Sequence, residues 1–380
     1  MRPATLEFLR QRFGEYYRTS ILSVPPSLPE REWGFLFFDP SPKIQMRRHI
    51  GFTEKDEVFN YLKSLTPAHA YYSSAYYETP SAPTMAEKHW TGADLIFDLD
   101  ADHIVRGPYG QMLARVKVET KKLLDMLTGE LGFSHKAIDL VFSGGRGYHI
   151  HIRDIAVRGW GSAERRELID YVCGIGIDPA VVLKAPSGTK EMQGWRKRYV
   201  SALLGYLRDI QALPEEEAVE RLSGLEGVGK ETAKGFVRDL PAHIAQVGDR
   251  PEPALMKNRV IRAAVSEKDG DFAARLRDTA ALADEPVTTD IKRLIRMPSS
   301  LHGGSGMRVQ PVALSELAEF DPLVDAVVFG DRPVRIESTM GLDMPMLGNS
   351  YHIEKGINTV PEALAVFLCC RGVGEIAGGS

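Results

Sequence analysis

The chain has 380 residues, 43% of them apolar and 26% charged, with a formal net charge of -4. That is room for one large domain or two ordinary ones, with the composition of a globular chain. The slight acidity excludes wholesale attraction to a polyanion, so any contact with nucleic acid has to come from local basic clusters. No stretch approaches 18 apolar residues, which excludes a membrane-spanning helix. Cys173, Cys369 and Cys370 form no Cys-x-x-Cys pair, so neither a disulfide framework nor a thiolate zinc site is expected. The N-terminus runs into charged residues rather than a signal-peptide core, and a reducing cytoplasm is the expected location.

Leu6, Leu9, Phe13 and Tyr16 or Tyr17 fall near helical spacing and predict an amphipathic helix over 4–17. The proline-rich run 24–29 reads as a loop, 31–38 as a strand, 39–42 as a turn and 45–52 as the returning strand. Arg47, Arg48 and His49 make a local positive patch there, which a solvated edge strand would also explain. A short helix is expected over 53–65, and the aromatic stretch 70–77 reads as core and sheet surface.

The run Leu95-Ile96-Phe97-Asp98-Leu99-Asp100 ends in two aspartates one residue apart. On a strand, side chains at i and i+2 share a face, so Asp98 and Asp100 would stand together. Adjacent carboxylates repel, and oxygen ligands of this kind suit Mg²⁺ or Mn²⁺ between them. A strand running into a polar turn is the alternative. A long helix follows over 109–131, with Met112, Val116, Leu123, Leu124, Leu127 and Leu131 as its apolar face.

Residues 140–153 read as two strands flanking the loop Ser143-Gly144-Gly145-Arg146-Gly147. In the second strand Tyr148, Ile150 and Ile152 alternate with His149, His151 and Arg153, giving one apolar face and one cationic or hydrogen-bonding face. A glycine loop lets backbone N–H groups approach an anion, and Arg146 adds a planar fork for phosphate oxygens. The spacing is not that of a P-loop.

Residues 162–174 are helical, and from about 185 to 280 the chain is charged and helical with no alternating strand. Trp195-Arg196-Lys197-Arg198-Tyr199 is a basic run that could be a solvated helix face or meet a nucleic-acid backbone. Residues 221–234, with Gly227-Val228-Gly229-Lys230, resemble the hairpin of a helix-hairpin-helix motif; a plain packing element explains them equally. Further on, Thr288 or Thr289 caps a short helix that Pro298 stops, and the loop 299–306 precedes a strand. Lys292, Arg293, Arg296, His302 and Arg308 crowd cations into 17 residues, which reads as a polyphosphate site. A helix near 313–319, short strands near 326–336 and a helix at 361–370 complete the chain.

Taken together, Arg31-Glu32-Trp33-Gly34-Phe35, Arg48-His49, the 93–103 stretch around Asp98 and Asp100, the 142–149 loop and the 290–303 segment resemble the catalytic small subunit of archaeal-type (archaeo-eukaryotic) DNA primase. The resemblance implies an α+β fold: a mixed β-sheet primase catalytic core (Prim fold) over 1–184 and 276–380, with an inserted smaller helical subdomain over 185–275. It implies template-directed primer synthesis from nucleoside triphosphates by two-metal nucleotidyl transfer. Asp98 and Asp100 match the paired metal-binding aspartates. The third carboxylate, counted back from Pro298 and His302, falls on Asp284, with Asp290 as the second choice. Ser143, Arg146 and His149 match residues holding the nucleotide's phosphates, Arg296 and His302 its triphosphate contacts, and Arg48 a nucleotide-site arginine. On this reading Arg146, His149, Arg296 and His302 act as cations. Two Mg²⁺ or Mn²⁺ ions, a single-stranded DNA template and a large-subunit partner come with the resemblance. Many members carry a zinc knuckle after the Asp-x-Asp strand; residues 103–140 have no cysteine, so structural zinc is not expected.

Two rivals remain at this level. In a haloacid-dehalogenase-like phosphatase the first aspartate is a phosphoryl nucleophile. That family usually has Thr or Val where this chain has Asp102, and its first strand opens the core, whereas about 90 residues precede it here. A non-catalytic nucleic-acid-binding subunit would explain the basic patches but not the carboxylates beside a phosphate-type loop.

Overall fold

The computed structural model describes residues 1–38, 45–104, 106–178, 182, 193–247 and 257–377. The turn expected at 39–42 lies outside them. The fold is α+β and divides into two compact units: residues 1–120, 133–167 and 283–380 form one, and 121–132 with 168–282 the other.

The first unit holds two four-stranded antiparallel sheets. In one, β1 (Trp33–Leu36) lies between β2 (Arg47–Ile50) and β3 (His69–Ser73), and β3 pairs on its far side with β9 (Leu294–Arg296). Trp33, Phe35 and Tyr72 are buried and pack with Phe52 and Tyr61, so the aromatic residues of these strands form core. The other sheet runs in the order β10 (Gln310–Val312), β7 (Ile138–Phe142), β8 (Gly147–Ile152), β6 (Leu95–Asp100). Its register sets Asp98 opposite His149 and Asp100 opposite Gly147. A Cβ at Gly147 would collide with the backbone oxygen of Leu99, so only glycine lets the strands approach there.

A small hairpin of β4 (Ala75–Tyr77) and β5 (Trp90–Ala93) leads into β6. Its start is tied down by a buried ion pair: Arg31 Nη2 lies 2.9 Å from Asp94 Oδ2, and neither side chain is more than 1% exposed. Tyr76 donates to the other Asp94 oxygen at 2.5 Å, Arg31 donates to the Ser73 and Ser74 carbonyls, and Arg165 donates to the Ala93 and Asp94 carbonyls. Of the motif Arg31-Glu32-Trp33-Gly34-Phe35, both charged residues are therefore buried structural anchors, Glu32 accepting from Arg48 and from the His49 N–H.

Three expectations are corrected here. The basic segment after Asp290 is not a helix: the helix is Glu285–Thr289, an Asp290 turn closed by the Lys292 N–H ends it, and residues 294–296 pair as a strand with β3. Cation spacing is compatible with either period, and the pairing partner decided. The second strand of the glycine hairpin, by contrast, has the alternation expected and is buried along its whole length, His149 and His151 included. Near 326–336, Pro322–Asp325 is helical and the strand β11 (Pro333–Ser338) begins only at 333. The turn at Leu314–Glu316 is a 3-10 helix.

The C-terminal part adds β11 between β14 (Gly356–Pro361) and β15 (Gly374–Ile376), and a hairpin of β12 (Leu342–Met346) and β13 (Asn349–Ile353). Helix Glu362–Cys370 is apolar on nearly all sides and buried, as such a helix must be.

Within the second unit the described elements are helical. Helix Gly194–Ala212 buries Trp195, Tyr199, Leu203, Tyr206, Leu207 and Ile210, so the aromatic ends of the basic run face core, and Arg198 pairs with Glu130. Helices Glu215–Ser223 and Lys230–Arg238 are joined by a turn with Gly227 at φ 75°, over buried Leu225, Val228 and Ala233. Among the described residues no helix is long and apolar enough to cross a membrane.

Candidate active site

The antiparallel pairing of β6 and β8 lifts Asp98 and Asp100 to one end of the second sheet, beside the turn 143–146. Asp98 is largely enclosed, and among the described residues its carboxylate takes no hydrogen bond. Burial, then the charges of Asp100 and Asp284, push its carboxyl up to about 7, against the pull of Arg293 and Arg296. Asp284 reaches the pair through the backbone: its N–H donates to the Asp98 carbonyl at 2.9 Å. It occupies the N-cap of helix Glu285–Thr289 without using its carboxylate as a cap. Asp290 instead interacts with Tyr77 and Arg165. Asp100 Oδ1 accepts from the Asp102 N–H at 3.0 Å.

A cavity of about 400 Å³ opens next to these carboxylates. Asp98, Asp100, Ser143, Arg146, His149, Arg296 and His302 all line it. The structure thus brings together seven of the expected phosphate-side and carboxylate residues from five strands and loops. Asp284 adjoins through Asp98, and Arg48 is not in the lining. Arg48 forms a two-point ion pair with the buried Glu32 (3.1 and 3.3 Å) on the edge strand β2.

The turn that carries Ser143 is shaped by its neighbours. Gly144 has φ 75°, and a Cβ there would lie 2.8 Å from the His302 Cβ; one at Gly145 would lie 3.0 Å from His302 Nε2. The ring of His302 thus lies on the glycines. Ser143 Oγ accepts from the Gly145 N–H at 3.3 Å, and Tyr109 donates to the Gly145 carbonyl at 2.6 Å. Arg146 is paired with Asp102.

The surroundings of His149 and His302 oppose the cationic form that the resemblance implies. Burial, reinforced by His151 or by Arg296, holds both well below the ordinary histidine value. His149 Nε2 lies 3.6 Å from Asp98 Oδ1, a contact of a neutral imidazole with a carboxyl rather than an ion pair. His302 Nδ1 accepts from the Gly304 N–H at 3.1 Å, which leaves the proton on Nε2. Positive charge in the cavity comes from Arg146, Arg293, Arg296 and Arg371.

Sequence reasoning missed several lining residues. Tyr71 falls in the stretch 70–77 expected to be core and sheet surface, His69 just outside any element expected from the sequence, and Tyr109 at the start of an expected helix. Arg371 follows the last helix with no motif around it, and reaches the cavity beside the Tyr109 ring. Only the β3–β9 register, which sets Tyr71 opposite Arg296, could have exposed the first two.

Among the described residues no three His, Cys, Asp or Glu side chains already stand as ligands around one point. The arrangement can nonetheless do two things chemically. Its arginines and glycine turn can hold a polyphosphate, and its clustered carboxylates can receive a hard cation.

Fold and cavity together define an α+β protein that presents clustered carboxylates to a site for an anionic substrate. A family model described as DNA primase small subunit matches residues 97–314. The chain is 62% identical over 378 residues to the DNA primase small subunit PriS of Methanoregula boonei, covering 99% of this chain and 100% of that protein. It is 56% identical over 380 residues to the protein of the same name from Methanosphaerula palustris, covering 100% of each. It is 40% identical over 406 residues to that of Methanothrix thermoacetophila, covering 99% and 100%. The chain belongs to the DNA primase small subunit family, and is accordingly a nucleotidyltransferase that synthesises primers for DNA replication. The phosphatase and non-catalytic readings are set aside.

Proposed function

We propose that the 400 Å³ cavity is the site of primer synthesis, with Asp98, Asp100 and Asp284 holding two divalent ions and the arginine wall holding the incoming nucleoside triphosphate. The observation that supports this is that Asp98 and Asp100 line a cavity whose other wall is cationic, with the charge of Asp284 close enough to Asp98 to raise its carboxyl. Oxygen donors alone make the set suited to Mg²⁺ or Mn²⁺. Ions bound there would activate the attacking 3′-hydroxyl and neutralise charge on the transferring phosphoryl group.

The chain's own residues supply the rest. Arg146 and Arg296 offer planar forks to phosphate oxygens, with Arg293 and Arg371 adding to the positive field. The Ser143 hydroxyl and the turn's N–H groups lie at one end of the cavity, where a phosphate could approach closely because residues 144 and 145 have no side chain. His302, with its proton on Nε2, serves as a hydrogen-bond donor there, and His149 presents its Nε2 edge toward Asp98. In-line displacement of pyrophosphate then needs no covalent nucleophile on the protein.

The remaining assignments follow this reading: a single-stranded DNA template, nucleoside triphosphates and a primase large subunit as partners. Residues 185–275 are taken as a helical insert within the second compact unit, 121–132 with 168–282, rather than in a core that runs through 1–184 and 276–380. Arg48 is left as a nucleotide-side residue only if it exchanges Glu32 for substrate. The test is primer synthesis by Asp98→Ala. The account expects loss of synthesis with the circular dichroism and thermal transition of a folded protein. A folded Asp98→Ala chain that made primers at the wild-type rate would overturn it.

A further inference from the structure

Arg296 does not stand alone in the cavity wall. It ends β9, where antiparallel pairing places Tyr71 of β3 opposite it, and His69 precedes Tyr71 by two residues on the same face. The guanidinium reaches both: Nη1 lies 2.7 Å from His69 Nδ1 and 2.9 Å from the Tyr71 hydroxyl. The backbone N–H of Gly303 also points at His69 Nδ1, at 3.3 Å. A guanidinium and an amide N–H can only donate, so Nδ1 must be the lone-pair acceptor, and the ring proton sits on Nε2.

The surroundings keep the ring in that form. Burial and the adjacent Arg296 charge hold His69 down to about 3. Its ring also packs edge-on against His302, with centroids 5.0 Å apart. The space is filled on the loop side: a Cβ at Gly303 would lie 2.8 Å from both His69 Nε2 and the Ala68 carbonyl. One neutral ring therefore touches three parts of the wall: the Arg296 side chain, the Gly303 backbone and the His302 ring.

We infer that His69 is a positioning residue for the triphosphate wall, an acceptor that holds Arg296 and the 302–304 loop in one arrangement so that both address the same phosphate group. This rests on the reading of the cavity given above. Because Nη1 is committed to His69 and Tyr71, Nη2 and Nε remain for a ligand, with no protein acceptor among the described residues. Without an acceptor at position 69 the arginine would lose its orientation, and the Gly303 N–H its partner.

The test uses the full-length chain in metal-dependent primer extension, with His69→Phe, His69→Asn and Arg296→Ala singly and His69→Phe combined with Arg296→Ala. Phe keeps the ring volume and removes the acceptor; Asn restores an acceptor oxygen near the Nδ1 position. The expected result is a rise of about tenfold or more in KM for the nucleoside triphosphate in His69→Phe, as for losing a hydrogen bond to a charged group. His69→Asn should recover most of that rise, and His69→Phe should add little once Arg296 is alanine. Thermal unfolding of each variant reports folding separately. An unchanged KM in His69→Phe, no recovery in His69→Asn, or full additivity with Arg296→Ala would overturn the inference. If Arg296→Ala itself leaves KM unchanged, the triphosphate reading of the cavity fails instead, which distinguishes the two.

Discussion

The strand that carries Asp98 and Asp100 depends on a buried charge, and removing it should be costly. Asp94 precedes that strand, is 1% exposed, and balances the fully buried Arg31 at 2.9 Å. In Asp94→Ala the guanidinium would keep the Ser73 and Ser74 carbonyls but lose the one carboxylate it pairs with among the described residues, Arg153 would lose a 3.5 Å ion pair, and Tyr76 its 2.5 Å acceptor. Leaving one member of a buried pair uncompensated costs about 3–5 kcal/mol, and the surviving carbonyl contacts favour the lower part of that range. The double replacement Arg31→Met with Asp94→Leu removes both charges and should recover most of the loss. Urea unfolding of the metal-free protein, with hydrogen exchange of the 95–100 amides as the local readout, measures both. A cost below about 1 kcal/mol for Asp94→Ala, as for an exposed pair, would refute the reasoning.

Two further outcomes follow from the site. The native state raises the Asp98 carboxyl from an ordinary carboxyl value to about 7, so between roughly pH 4 and pH 7 it binds more protons than the unfolded chain. Stability of the metal-free protein is therefore reduced as pH rises through that window, by about 4 kcal/mol at most. Asp98→Asn should be more thermostable than wild type by a margin that grows from pH 4 to pH 8, and a margin independent of pH would contradict the assignment. At Gly144, φ 75° and a 2.8 Å approach to His302 leave no room for a side chain. Gly144→Ala should lose about 1–2 kcal/mol and raise KM for nucleotide; an unaltered KM would mean that His302 does not contact substrate.

How much of this was readable beforehand depended on what each residue's neighbour was. The Asp98–Asp100 pair and the Ser143–Gly147 turn were legible because their chemistry lies within a few consecutive residues, and period-2 alternation put both aspartates on one face. The cationic segment at 292–308 was legible as an anion site but not as a strand, since only pairing with β3, over 200 residues earlier, sets its period. His69, Tyr71 and Arg371 were invisible for the same reason: their roles arise from contacts distant in sequence. The burial that opposes charge on His149 and His302 was not legible, because it comes from contacts distant in sequence and not from residue type. Arg48 shows the converse, since an arginine that suggests a nucleotide site pairs here with the buried carboxylate of Glu32. The strands after residue 332 do alternate, Val334 and Ile336 against Arg335 and Glu337 and Leu342, Met344 and Met346 against Asp343 and Pro345, yet the only strands expected in that region lay near 326–336.

The central claim is that Asp98, Asp100 and Asp284 together receive divalent cations. The most direct measurement is Mn²⁺ binding to the full-length protein, followed by electron paramagnetic resonance of free Mn²⁺, for wild type and for Asp98→Asn, Asp100→Asn and Asp284→Asn. The account predicts saturable binding that is tightened by nucleoside triphosphate and weakened at least about tenfold by each substitution. Binding that all three substitutions left unchanged would contradict it.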